Sequence, residues 1–299
     1  MSDAVASLPD SPFSHALIVG CGDVGMRLAR ILLARGVEVS ALARSETRAM
    51  EYAAAGLGVV RGDLDWGASL SPFAANGSAV FHFAPPPSTT YGDPRTSALL
   101  GALDHQVRPH VLVYASTSGV YGDCDGAWVR EDAPLRPITE RAQRRVDAEN
   151  AVRAWGALTD VRTVVLRVPG IYGPGRLPID SVRAGTPVVD PAHTGWTNRI
   201  HADDLARIAY LAAVRDAHGA YNVSDGTPGK WGDLSIAVAE VLGLPRPRVI
   251  PFSEAAERLT PMQLSFLMES RRLDIMRMLE ELRPALLYPD VVEGVRASL

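Results

Sequence analysis

Short apolar runs alternate with amphipathic helical repeats through the first 168 residues, and short connections join them. This pattern predicts an α/β fold built on a doubly wound parallel sheet, with a smaller lobe contributed by later residues. A glycine-rich turn between the first run and the first helix, and a change to Gly/Pro-dense sequence after Pro169, are the other two observations behind that prediction. The elements are read in order. His15–Gly20 is an apolar run ending in glycine, as expected of a buried parallel strand. Residues 24–35 repeat apolar side chains at helical spacing (Val24, Leu28, Ile31, Leu32) and stop at Gly36, a helix-terminating residue. A second strand over 37–43, a helix over 47–55 closed by Gly56, and a third strand over 58–61 follow. Residues 79–83 and 110–115 read as the fourth and fifth strands, with an Ala/Leu-rich helix over 96–107 between them. A long helix over 139–155 precedes a sixth strand at 161–167.

Residues 170–191 suit a binding loop rather than a core element. A helix over 203–214 and a strand at 220–223 are expected to return to the main sheet. Helices over 234–242 and 261–282 are expected to build the smaller lobe. The division is therefore 1–168 with 200–224 for the sheet domain, and 169–199 with 225–299 for the lobe.

The 299 residues are 47% hydrophobic and 21% charged, ordinary for a globular enzyme. A net charge of −4 gives no reason to expect nucleic acid or an anionic membrane as partner. Of 30 basic residues only Lys230 is lysine, a bias expected of a GC-rich genome. Two cysteines, Cys21 and Cys124, form neither a disulfide framework nor a metal-ligand spacing, so no metal is expected. The first 14 residues lack the pattern of a signal peptide, and no 18-residue apolar stretch exists; a cytoplasmic location is expected.

Gly20-Cys21-Gly22-Asp23-Val24-Gly25 reads G-x-G-x-x-G between a strand and a helix, the Rossmann dinucleotide fingerprint. Gly20 turns off the strand, Gly22 lets a pyrophosphate approach the backbone, and Gly25 lets helix and sheet pack closely. The helix N-terminus offers its free N–H groups to the phosphates. At the end of the second strand an NAD site wants a carboxylate for the ribose 2′-hydroxyl. Here Ala41-Leu42-Ala43-Arg44 supplies none, and Arg44, with Arg48 in support, suits a 2′-phosphate. NADP is expected over NAD. Asp63, after the third strand, is read either as an acceptor for the adenine amino group or as a helix cap.

With these residues in place, the chain resembles the short-chain dehydrogenase/reductase superfamily, in its extended and atypical branch of epimerase/dehydratase-like proteins. The likeness lies in the glycine loop, Gly62-Asp63-Leu64, Ser116–Gly122, Arg167–Gly175, Asn198–Leu205 and Tyr221–Asp225, which follow family order over nearly the whole chain. The resemblance implies that Thr117 is the catalytic hydroxyl and that Pro169, Gly170 and Ile171 hold the nicotinamide carboxamide. It also implies that Phe83, Ala84 and Pro85 pass beside the adenosine ribose, and it suggests a homodimer.

Three departures stand out. Val19 replaces the first glycine of the extended branch's loop, and Ala84-Pro85-Pro86-Pro87 replaces a short polar turn. The family's Tyr-x-x-x-Lys falls on Arg141 and Arg145 and occurs nowhere in this chain. Arg145 can still grip ribose hydroxyls. Arg141 cannot replace the tyrosine, because a guanidinium releases no proton near neutral pH. Two readings follow. In one the protein is an NAD(P)-dependent oxidoreductase or epimerase acting on a hydroxyl or carbonyl of a small, sugar-nucleotide-like molecule. Tyr121 is then the first candidate proton donor, followed by Tyr172 and His201, and Arg141, Arg145 and Arg199 clamp an anionic substrate. In the other it binds NADP(H) without turnover, as a sensor.

Overall fold

The computed structural model describes residues 8–70, 77–103, 108–257, 259, 264, 267 and 269–299. Seven parallel strands form its central sheet: β1 (His15–Val19), β2 (Glu38–Ala43), β3 (Gly58–Arg61), β4 (Ala79–His82), β5 (Val111–Thr117), β6 (Arg162–Val168) and β7 (Gly219–Asn222), in the order β3-β2-β1-β4-β5-β6-β7. Crossover helices are α1 (Asp23–Ala34), α2 (Glu46–Ala54), α3 (Pro94–Ala102), α4 (Glu140–Thr159) and α5 (Ala202–Val214). The order reverses between β1 and β4, which opens a crevice at the carboxyl ends of those strands where ligands bind in such sheets.

The central strands are apolar on both faces because both are covered. One core layer joins α1 and α5 to the sheet through Ile18, Leu28, Leu32, Leu205 and Ile208. The other packs α3 and α4 against it through Val80, Leu99, Leu112, Val152 and Trp155. Helix starts are set by local chemistry. Ser45, Asp93 and Thr139 each accept a hydrogen bond from a first-turn N–H of α2, α3 and α4. Glu149, fully buried on α4, accepts from Ser116 Oγ at 2.6 Å and from Arg167 Nη2 at 3.0 Å, tying α4 to β5 and β6.

Outside the central sheet the strands form short two-stranded pairings. Gly170–Tyr172 runs parallel to Arg199–His201, Trp196–Thr197 antiparallel to Gly229–Lys230, and Val188–Val189 parallel to Val249–Ile250. Helices Ile179–Arg183, Asp233–Val241 and Val291–Arg296 share a small apolar core.

Two helix expectations need correction. The helix over 261–282 is not continuous in its described part: Leu264 and Leu267 are helical, but Arg272–Leu273 is a strand parallel to Trp128–Val129, and winding resumes only at Met276, passing into a π-helix over Met278–Leu282. Pairing with a distant segment overrides local propensity here, helped by Arg272 lying over the Trp128 and Trp196 rings. The helix expected over 96–107 instead begins at Pro94 and ends at Ala102, with residues 104–107 outside the described set. Among the described residues, no helix is long and apolar enough to cross a membrane.

Candidate active site

The glycine loop follows from what its neighbours demand. Phe83 and Ala84 donate their N–H groups to the Val19 carbonyl at 2.7 and 3.2 Å, which presses the end of β4 against Gly20. A Cβ on Gly20 would lie 2.3 Å from Ala84 N, and its φ of +85° is left-handed. A Cβ on Gly25 would meet Ile18 Cγ2 at 3.2 Å, so α1 packs tightly on β1. Gly22 differs: nothing lies within 4 Å of its Cβ position, and as N-cap of α1 it leaves the first turn without side-chain capping. An open backbone beside uncapped N–H groups fits a pyrophosphate. Tyr52 braces the loop from α2 by donating to the Cys21 carbonyl at 2.9 Å. Burial pushes the Cys21 thiol up to about 12, so it stays protonated.

Beside the loop lies a cavity of ≈ 500 Å³ walled by Gly20, Gly22, Arg44, Arg48, Asp63 and Ala84, among others. Cys21, Leu64, Phe83 and Pro85 also border it. Arg44, two-thirds exposed, stands 3.7 Å from Asp65. Asp65 is itself gripped by Arg95 through two 2.6 Å hydrogen bonds, and Arg95, first, holds its carboxyl below the ordinary range. Asp63 accepts from the Asp65 N–H at 2.9 Å and forms an isolated bridge with Trp66, so it caps a turn while facing the cavity. Asp23 and Val24 open α1, and Asp23 is bound by Arg27 at 2.9 Å and Arg176 at 2.7 Å.

A second cavity of ≈ 500 Å³ opens at the ends of β5 and β6. Thr117, Arg141, Arg145, Pro169, Gly170, Ile171, Tyr172 and Arg199 border it, so the structure brings most of the expected nicotinamide and substrate residues to one place. The Thr117 hydroxyl accepts from the Gly119 N–H at 3.2 Å, which leaves its own proton free to donate. Arg145 donates to the Ala115 carbonyl at 2.6 Å and to the Tyr114 hydroxyl at 3.0 Å, which sets its guanidinium beside the end of β5. Arg199 donates to the Lys230 carbonyl at 2.5 Å.

Three expectations fail on geometry. Tyr121 is 1% exposed and does not border the cavity. Its hydroxyl donates to Asn222 Oδ1 at 2.7 Å and accepts from Arg167 Nη1 at 2.7 Å, and burial pushes its pKa up to about 12. The cation beside it is Arg167, not Arg141 or Arg145. A phenol locked between β6 and β7 cannot deliver a proton to the cleft. His201 is buried off the cavity; its Nδ1 accepts from the Asp203 N–H to cap α5, and its Nε2 pairs with Ser298 Oγ at 3.1 Å. Tyr172 adds to the wall, but its buried hydroxyl packs against Gly294 and has no hydrogen-bond partner among the described residues. Burial, first, raises its pKa.

Other wall residues went unread in the sequence: Trp196, Asn198, Trp231, Leu234, Glu269 and Arg271. Asn198 lay in a recognised block, and its side chain pins the 269–273 segment by donating to the Arg271 carbonyl at 3.0 Å and accepting from the Leu273 N–H at 2.9 Å. Glu269 and Arg271 had no local signal, because only that pairing brings them over the cleft. Among the described residues no cluster of His, Cys, Asp or Glu could hold a metal ion.

Residues 16–224 match the family model described as the NAD dependent epimerase/dehydratase family. The chain is 31% identical over 259 residues to a Streptomyces 3-diazoavenalumate denitrifying reductase, covering 79% of this chain and 84% of that one. It is 29% identical over 243 residues to a Stigmatella aurantiaca 4-hydroxy-2-methyl-3-oxo-4-farnesyl-3,4-dihydroquinoline-1-oxide ketoreductase, covering 75% and 72%. The solved structure of a conserved protein from Silicibacter pomeroyi superposes with a TM-score of 0.79 at 32% identity, covering 95% and 97% of the two chains. The chain therefore belongs to the NAD-dependent epimerase/dehydratase family and is an NAD(P)-dependent oxidoreductase/epimerase-like enzyme.

Proposed function

We propose that this enzyme is an NADPH-dependent reductase that acts on a carbonyl, or a comparably electrophilic centre, of a small anionic molecule. The observation that carries the reading is the second cavity, where the Thr117 hydroxyl and the Arg145 guanidinium share a wall with Pro169–Ile171. The dinucleotide, when bound, supplies the hydride. Gly20–Gly25 would hold its pyrophosphate, Asp63, Leu64 and Phe83–Pro85 its adenosine half, and Pro169–Ile171 its nicotinamide end. Residues 169–199 and 225–299 form the lobe that receives the substrate.

Reduction of a carbonyl puts negative charge on oxygen, and the chain's task is to receive that charge. Thr117 can donate one hydrogen bond and Arg145 another, both aimed from fixed positions, which stabilises the developing alkoxide. Neither the guanidinium nor the inward-facing Tyr121 releases the proton that completes the alcohol, so that proton comes from water through the Thr117 hydroxyl. The reductase names of the Streptomyces and Stigmatella relatives, which match over most of both chains, favour net reduction over epimerisation; the relative named a UDP-glucose 4-epimerase matches over only 62 residues. Arg44 and Arg48 on the wall of the first cavity, with no carboxylate at the end of β2, support NADPH; Asp65 opposes them only partly, being held by Arg95.

Parallel titration with NADPH and NADH, followed by absorbance at 340 nm with a panel of small carbonyl acids, tests the reading. Tighter NADPH binding is expected, narrowed by Arg44→Ala by about fivefold, about 1 kcal/mol, the upper end for an exposed ion pair. Thr117→Val should lower kcat at least tenfold without changing NADPH affinity. Equal or tighter NADH binding refutes the cofactor preference, and unchanged kcat in Thr117→Val refutes the mechanism.

A further inference from the structure

The walls of the second cavity sort into two kinds of surface. One is cationic: Arg141, Arg145, Arg199 and Arg271 line it, against the single carboxylate of Glu269. Three of these guanidiniums are anchored along one edge to main-chain oxygens, Arg145 to Ala115, Arg199 to Lys230, and Arg271 to Gly122 at 2.7 Å. A carbonyl contact leaves the charge of Arg145 and Arg199 in place at the wall, whereas Arg271 is also ion-paired with Glu269. Glu269 is engaged by Arg271 at 2.6 Å, while Asp225 and Asp233 stand behind Arg199 and offset its charge from outside the wall. Arg141 feels the crowding. Burial holds its guanidinium below the usual value and repulsion from Arg145 and Arg271 acts the same way, with Glu269 opposing. Such a cluster is relieved by an incoming anion.

The other surface is flat and apolar, made by Trp231, Trp196, Leu234 and Ile171. Lys230 Nζ lies 4.5 Å from the centre of the Trp196 ring, and the Arg272 guanidinium lies 5.2 Å from it, which steadies the indole at the rim. Size bears on the guest as well. The ≈ 500 Å³ sits in the lower part of the range for small-molecule pockets and must also admit the nicotinamide end of the dinucleotide. The space beside the nicotinamide end suits one ring with a short acidic arm.

We propose, resting on the reading of this cavity as the substrate site, that it selects a planar aromatic carboxylate. The carboxylate meets Arg141 and Arg271, and the ring lies against Trp231 with its reactive end toward Thr117.

The test is equilibrium binding to the protein saturated with NADP⁺, read by quenching of tryptophan fluorescence and by calorimetry. The probes are 4-hydroxycinnamate, its carboxamide, cyclohexanecarboxylate and UDP-glucose. The acid is expected to bind at least tenfold tighter than the amide and at least threefold tighter than the saturated ring acid. Arg141→Gln should remove the preference for acid over amide, and Trp231→Leu the preference for the aromatic ring. Equal affinity for acid and amide, or UDP-glucose binding tighter than the acid, overturns the proposal. NADPH affinity measured on the same protein without added NADP⁺ separates the two failures. If NADPH binds and the probes are not discriminated, only the substrate class falls; if NADPH does not bind, the dinucleotide reading falls.

Discussion

Valine at Gly22 should leave the fold standing and remove the dinucleotide. Gly22 has φ −84° and ψ −150°, backbone open to residues with side chains, and its Cβ position has no neighbour within 4 Å. The folded protein therefore loses only the small N-cap advantage of glycine over a β-branched residue, about 1 kcal/mol. An unfolding entropy of about 2.1 cal/mol/K per residue amounts to about 0.6 kcal/mol per degree over 299 residues, so Tm falls by about 2 °C. NADPH at a hundred times its Kd stabilises the native state by about 2.7 kcal/mol, which raises the Tm of the parent by about 4 °C. In Gly22→Val two methyl groups occupy the open space over the loop, and that rise should vanish. Thermal unfolding with and without NADPH, supported by calorimetric titration, reads both quantities. Gly20→Ala is the contrasting control. Its Cβ would meet Ala84 N at 2.3 Å with φ at +85°, so it should melt well below Gly22→Val even without ligand. A folded Gly22→Val protein that keeps the full NADPH-induced rise would refute the placement of the pyrophosphate on this loop.

Tyr121→Phe should cost stability and spare turnover. Asn222 Oδ1 loses its donor while Arg167 keeps Glu131 and Glu149, so a loss of about 1–3 kcal/mol, or about 2–5 °C, is expected with kcat within threefold. A hundredfold fall in kcat at unchanged Tm would restore the phenol as proton donor. Asp225 supplies a pH test. Burial pushes its carboxyl up to about 6, against opposing hydrogen bonds from Thr227 and Ser224 and the charge of Arg199. Between pH ~4 and ~6 the folded state then holds more protons than the unfolded one, so this group's contribution to stability falls as pH rises through that window and is level above it. Asp225→Asn should remove up to about 3 kcal/mol of that slope and raise the Tm at pH 7.5 relative to the parent. An identical slope in the two proteins across pH 4 to 6 would contradict it.

The sheet domain was legible because its rules are local. A buried parallel strand needs a continuous apolar run, a crossover helix needs a 3.6-residue repeat, and the turn between β1 and α1 needs glycines where a Cβ would strike Ala84 or Ile18. Arg44 could be placed for the same reason, since the end of a strand is defined by the strand itself, whereas Thr117 was picked out through the family resemblance. The missing Tyr-x-x-x-Lys pair was legible too, because an absent residue type needs no structure to establish.

What a side chain faces at a strand end is a different kind of fact. Tyr121 sits four residues after Thr117, yet its direction is set by Arg167 on β6 and Asn222 on β7, 46 and 101 residues away, which offer its hydroxyl two partners inside the core. His201 carries a titratable ring near the site in sequence, but its nitrogens are taken by the start of α5 and by Ser298. Glu269 and Arg271 looked like part of a helix and reach the cavity only because Asn198 holds their segment and Arg272–Leu273 pairs with Trp128–Val129. From its sequence alone this protein is a dinucleotide-binding sheet with an altered catalytic centre, because periodicity and backbone sterics are properties of neighbouring residues. Its cationic, tryptophan-walled cavity and its inward-facing tyrosine were decided by tertiary structure, because hydrogen bonds and packing between segments far apart in the chain determine which polar groups are spent in the core and which remain for a ligand.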